Sequence, residues 1–135
     1  MTAARTWTLH RHSEQVAVCA LPPNAEVPAW AAEPAPLQAV VRTAAELSLV
    51  CAAGGVPADV PALGPYVCFE VAGRLDPALV GVLAELLAPL ADEEISVLTL
   101  STYGTDWVLV PAAQADAAGT AWRRRRQVVL DPVPA

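Results

Sequence analysis

Residues 73–110 constrain the fold more than any other stretch of the chain. Their sequence, GRLDPALVGVLAELLAPLADEEISVLTLSTYGTDWVLV, predicts an amphipathic helix, a strand, a short polar turn and a second strand. Asp76 sits at an N-cap position and Pro77 at the first helical position, where proline gives up no helical hydrogen bond. Leu79, Val82, Leu83, Leu86, Leu87 and Leu90 then recur at three and four residues and define one apolar face. A helix with a single apolar face needs a sheet beneath it. Residues 95–101 and 107–110 supply two strands, and Tyr103, Gly104 and Thr105 turn the chain between them.

The rest of the chain extends this unit. Residues 7–11 and 15–21 read as strands, and both faces of the second are apolar, which predicts a central position in a sheet. Residues 25–32 make one or two helical turns around Trp30, kept short by Pro28. Residues 37–42 and 47–52 are strands joined by a turn at Thr43–Glu46. Residues 53–65 have glycines, prolines and no periodicity, so they form a connector with a boundary near residue 62. A strand at 66–71 leads into the opening stretch. An alanine-rich helix then ends at Arg123–Arg126, where cations suit the helix dipole, and 127–130 is a last strand. The second half therefore reads β-α-β-β-α-β, the ferredoxin-like order with two helices on one face of an antiparallel sheet. The first half reads as the same order with a very short first helix and no second. The expected fold class is α+β, a degenerate tandem repeat: residues 1–62 and 63–135 form two antiparallel sheets side by side with helices on one face.

Composition narrows the function. In 135 residues, 55% of them hydrophobic, no apolar run approaches the ~18 residues of a membrane span, and the N-terminus has no apolar signal core. No membrane partner and a cytoplasmic location are expected. A formal net charge of -6, with arginine as the only strong base, disfavours nucleic acid. Cys19, Cys51 and Cys68 lie inside apolar strands, odd in number and without ligand spacing, which predicts core residues rather than a disulfide framework or zinc site. His10 and His12 face one side of a strand and offer two metal ligands, but no third follows, so no metal is expected. Arg123–Arg126 suits a phosphate, an acidic partner or a solvated face, and Trp7, Trp30, Trp107 and Trp122 suit either a pocket wall or the core. Nucleophile elbow, HExxH, P-loop and dinucleotide fingerprints are absent from the sequence, so no cofactor and no enzymatic activity are expected. A meeting of His10, Ser101 and Asp106 in space would argue otherwise.

Three sets of residues carry a family resemblance. Val41, Arg42, Thr43, Glu46, Leu47, Ser48, Val50 and Cys51 form the first. In the second half, Gly73, Leu75, Asp76, Gly81, Leu83, Pro89, Leu90 and Ala91 match a loop and helix. Ile95, Ser96, Ser101, Thr102, Tyr103, Thr105, Asp106, Leu109 and Val110 match a strand–turn–strand block. The second half resembles an ACT domain, the small regulatory module that binds amino acids. The whole chain resembles the tandem ACT-like proteins related to the CASTOR arginine sensors. The resemblance implies an amino acid or similar metabolite bound where the two halves meet, by Gly73, Arg74, Leu75 and Asp76 on the loop and Ser101, Thr102, Tyr103 and Asp106 on the hairpin.

The chemistry of these residues agrees with that placement. Gly73 lets backbone approach a ligand, a helix starting at Pro77 offers free N–H groups to a carboxylate, and Asp106 receives an ammonium or guanidinium. Plain roles are open beside these: Asp76 as a cap alone, Asp106 as a turn residue bonding its own backbone. Glu94 stands where relatives place glycine after the helix, a position that favours a left-handed residue. The expected function is a ligand-sensing regulatory module that associates with a protein partner or a second copy through its sheet edges. The alternatives are an interaction domain with a decayed ligand site and an uncharacterised enzyme.

Overall fold

The computed structural model describes residues 5–132. Its strands are β1 (Thr8–Leu21), β2 (Ala39–Arg42), β3 (Leu47–Ala52), β4 (Ala62–Val71), β5 (Leu98–Ser101), β6 (Asp106–Pro111) and β7 (Val128–Leu130). Helix α1 (Val82–Asp92) lies between β4 and β5, and α2 (Ala115–Arg124) between β6 and β7. Short 3-10 turns at Ala29–Ala32, Ala53–Gly55 and Ala112–Gln114 complete the order. Among the described residues no helix is long and apolar enough to cross a membrane.

The two sheets expected from the sequence are one. Strand order is β2-β3-β1-β4-β6-β5, and β7 also pairs with β1. The cause is the length of the two central strands, 14 residues in β1 and 10 in β4. The strands expected at 7–11 and 15–21 run together as β1, with a register shift against β4 between Arg11 and Gln15. One edge of β1 pairs with β4. Its other edge takes β7 in parallel from Thr8 to His10 and β3 antiparallel from Val16 to Leu21. A self-contained ferredoxin-like unit would place β7 beside β4; here β1 stands between them. The expected boundary at residue 62 falls on the first residue of β4.

Alternation along these strands sorts the core. Leu9, Val67, Phe69, Val71, Val108 and Val110 face α1 and α2, against Val82, Leu86, Leu90, Ala115, Ala118, Ala121 and Trp122. Trp122 is fully buried; its indole N–H donates to the Leu86 carbonyl at 2.8 Å, and Phe69 meets it edge-on. Further along the same face, Ala17, Cys19, Leu47, Leu49 and Cys51 lie under the 3-10 turn carrying Trp30 and Ala31. The opposite face buries Val16, Val50, Cys68, Trp107 and Leu109 with Leu37. There His12 stacks on Trp107 and bonds Glu70 at 3.0 Å.

Helix α1 starts later than the sequence suggests. Asp76 does cap, accepting from the Ala78 N–H at 2.9 Å, but it closes a single turn with Leu79 N–H on its own carbonyl. The helix begins only after Gly81, which is left-handed at φ 83°. Leu79 belongs to that preceding turn and is exposed. The helix ends as the residue pattern implies: Glu94 takes the left-handed conformation at φ 57°, and Ile95 N–H returns to the Leu90 carbonyl at 2.9 Å. The acidic helix end sits beside the end of α2, where Asp92 pairs with Arg125 at 2.5 Å and Glu93 with Arg124 at 3.9 Å. Arg123 pairs with Asp131 at 3.4 Å.

The same hairpin is built twice. In each, a threonine N–H donates to the carbonyl three residues on, Thr43 to Glu46 and Thr102 to Thr105, both at 2.9 Å. Each threonine hydroxyl accepts the return N–H. The β2–β3 and β5–β6 hairpins thus share one turn chemistry at opposite ends of the sheet.

Candidate functional site

The loop from β4 to α1 is tied to the β5–β6 hairpin by two bonds. The buried Thr105 hydroxyl donates to the Val71 carbonyl at 2.7 Å, and the Leu75 N–H donates to the Gly104 carbonyl at 2.8 Å. Between loop, hairpin and the first turn of α1 opens a cleft of about 400 Å³. Its walls include Leu75, Asp76, Ser101, Thr102, Tyr103 and Asp106, six of the eight residues expected from the sequence. Gly73 and Arg74 stand outside it. Gly73 is at φ 78° with open space where a Cβ would be, so the turn requires its glycine rather than any close approach. Arg74 lies over the Tyr103 ring, 4.7 Å from its centre.

The cleft has two electrical poles. At one, Val82, Leu83 and Ala84 carry N–H groups ahead of the first intrahelical bond, which runs from Glu85 N–H to the Gly81 carbonyl at 3.0 Å. At the other, the Asp106 carboxylate accepts the Ser101 hydroxyl at 2.6 Å. The donor end of α1 is braced from behind. Arg5 pairs with Glu85 at 2.7 Å and donates to the Val80 carbonyl at 2.7 Å, while the Trp7 indole N–H reaches Glu85 at 2.8 Å. The Arg5 hydrogen bond, with that of Trp7, holds the Glu85 carboxyl below the usual carboxylate range.

Sequence reasoning missed Leu79, Gly81, Val82, Leu83, Ala84 and Thr105 as lining residues. Gly81 inside the apolar row is the one sequence feature at this point, and it fits a helix interior as well as a helix start. Thr105 stands in the sequence as a turn residue of the strand–turn–strand block, but its burial depends on the hairpin folding against β4.

The location differs from expectation as well. Every lining residue falls between 75 and 106, so the cleft opens within the second half and not where the halves meet. The junction carries a separate shallow groove of about 580 Å³ along Gln15, Gly64, Pro65, Tyr66 and Pro111–Ala113. The catalytic grouping of His10, Ser101 and Asp106 is not assembled. His10 pairs with Glu70 on the face of Trp107, whereas Ser101 and Asp106 project from the helix-covered face. Among the described residues, no three His, Cys, Asp or Glu side chains are grouped to hold a metal ion.

Comparison with known proteins bears on the fold. Residues 64–124 match the family model of the ACT domain, and residues 14–59 match a model of an N-terminal domain. No curated protein matches the sequence. A structurally solved protein of Agrobacterium tumefaciens is 23% identical with a TM-score of 0.88, the match covering 97% of each chain. A Vibrio cholerae protein of unknown function, described as a possible transport protein, is 21% identical with a TM-score of 0.73 over 88% of this chain and 89% of that one. The structure of aspartokinase alpha and beta subunits aligns at 14% identity with a TM-score of 0.59, over 90% of this chain and 97% of the other. At such identities the likeness is one of fold. The fold is ACT-like, and the ACT domain match indicates a small-molecule regulatory binding module.

Proposed function

We propose that the chain is a non-enzymatic sensor that holds an amino acid or similar zwitterion in the cleft between the 75–84 segment and the β5–β6 hairpin. The observation that carries this reading is the pairing of poles across one opening: N–H groups of Val82 to Ala84 for a carboxylate, Asp106 with Ser101 for an ammonium. The closer kinship to the CASTOR-related proteins belongs to this proposal, and rests on the matched residues within 41–51, 73–91 and 95–110. So does the division into halves at residue 62, supported by family matches that stop and start on either side of it.

Isothermal titration and thermal shift against the proteinogenic amino acids at millimolar concentration test the reading. At least one ligand raises the melting temperature, and Asp106→Asn weakens it by about tenfold or more, as loss of a charged hydrogen-bond partner does. No response to any amino acid overturns it. A second reading, docking of a protein at the cleft mouth, is favoured by Val80 and Tyr103, which are 84% and 91% exposed beside it.

A further inference from the structure

One wall of the cleft hangs on few bonds. Residues 76–80 hold themselves by a local turn, with the N–H groups of Ala78 and Leu79 on Asp76. Leu79 and Val80 are exposed, and the left-handed Gly81 follows. Among the described residues, one hydrogen bond ties 76–80 to a distant part of the chain: the Arg5 guanidinium donates to the Val80 carbonyl at 2.7 Å.

Arg5 is itself fixed from three directions. Its Nε and Nη2 reach the Glu85 carboxylate at 3.0 and 2.7 Å, a forked contact that lysine does not reproduce. It lies 5.1 Å from the centre of the Trp7 ring, whose indole N–H donates to the same carboxylate. Its carbonyl accepts from the Gln127 amide at 3.2 Å, and the buried Gln127 in turn accepts the Trp7 N–H at 2.5 Å. Just beyond, the Thr8 carbonyl accepts from the Ala72 N–H at 2.8 Å. Residues 5–8 therefore grip the loop from β4 to α1 at both ends, Ala72 where it leaves the strand and Val80 where it meets the helix.

We infer that residues 5–8 are a strap that sets the donor wall of the cleft, so that occupancy of the cleft and order of the N-terminal segment are coupled. The inference rests on the sensor reading of the cleft and gives that sensor an output. A carboxylate held by Val82 to Ala84 needs the start of α1 fixed in place, and Arg5 fixes it from outside the cleft. By linkage, the factor that a closed strap adds to ligand affinity is the factor by which a bound ligand favours the closed strap. The Arg5 and Glu85 side chains are 35% and 37% exposed, so the strap opens in water without unfolding the sheet.

Trypsin cuts after Arg5 only when the segment opens, so the rate of that cut reads the open population. The amino acid that binds tightest in the titration panel is expected to slow the cut about fivefold or more, and Arg5→Ala to weaken binding of that amino acid by the same factor. Arg11→Ala breaks a pair with Asp116 on the same strand, neither residue lining the cleft, and leaves the affinity unchanged. Amide exchange in ligand-free Arg5→Ala separates a loosened wall from a general loss of stability: Leu79 and Glu85 exchange faster, and the amides of β4 do not. Affinity that survives Arg5→Ala overturns the strap and keeps the sensor. Cleavage that the amino acid does not slow, or exchange at Leu79 and Glu85 that rises no more than in β4, overturns the strap as well. A chain that binds no amino acid overturns the sensor reading and the coupling together.

Discussion

Cys68 is fully buried between β1 and β6, and burial pushes its thiol up from 9.0 to about 12. Cys19, desolvated on the opposite face with its sulfur 3.7 Å from that of Cys51, is raised to about 12 as well. The folded state therefore keeps both protons at a pH where the unfolded chain has lost them. The stability they support is complete below pH 9 and falls as pH rises from 9 toward 12. The urea midpoint is expected to drop steadily from pH 9 upward, and less steeply in Cys68→Ala; a midpoint flat across that window would contradict the assignment. Reading these cysteines as core residues needed only their apolar surroundings. Reading Asp76 needed more: its cap geometry was visible, but the left-handed Gly81 that limits it to one turn was not, because glycine inside an apolar row is consistent with either a helix or its start.

At the scale of elements, the end of α1 shows how a local misfit is tolerated. Glu94 holds a left-handed conformation without being glycine, which costs a residue with a Cβ about 1 kcal/mol or more. Glu94→Gly is expected to stabilise the fold by about 0.5 to 1 kcal/mol after allowing for the freer unfolded chain. Chemical denaturation measures it, and a loss of stability would show that the Glu94 side chain has an undetected role. The neighbouring acids are explained by packing that a linear sequence conceals: Asp92 and Glu93 crowd one helix end only until α2 brings Arg124 and Arg125 beside them. Element order, the β3 strand and the polar hairpin were legible, since each rests on periodicity or turn chemistry within a few residues. The cleft was legible in its residues but not its location. Which loop meets which hairpin depends on strand order, and that is set by contacts far apart in the chain.

For the whole molecule, the shared sheet decides what can fold alone. Residues 63–135 contain a full β-α-β-β-α-β series, yet they lack Leu9 from the core beneath the helices, the β1 edge that holds β7, and the Arg5 and Trp7 contacts to Glu85. The 63–135 fragment is expected to give an unfolded far-ultraviolet spectrum where the full chain is folded; a cooperative melt from the fragment would show that the second half is an independent domain.

Strand β1 also restricts how such a chain can change over generations. Between Val16 and Leu21 it is zipped to β3 on one side and runs beside β4 on the other. Gain or loss of a single residue there would exchange inward and outward side chains, sending Cys19 to the face of Val16. The loop at 53–61 bears no such register restriction, so a one-residue insertion is expected to be tolerated there and to unfold the protein when placed between Val16 and Leu21.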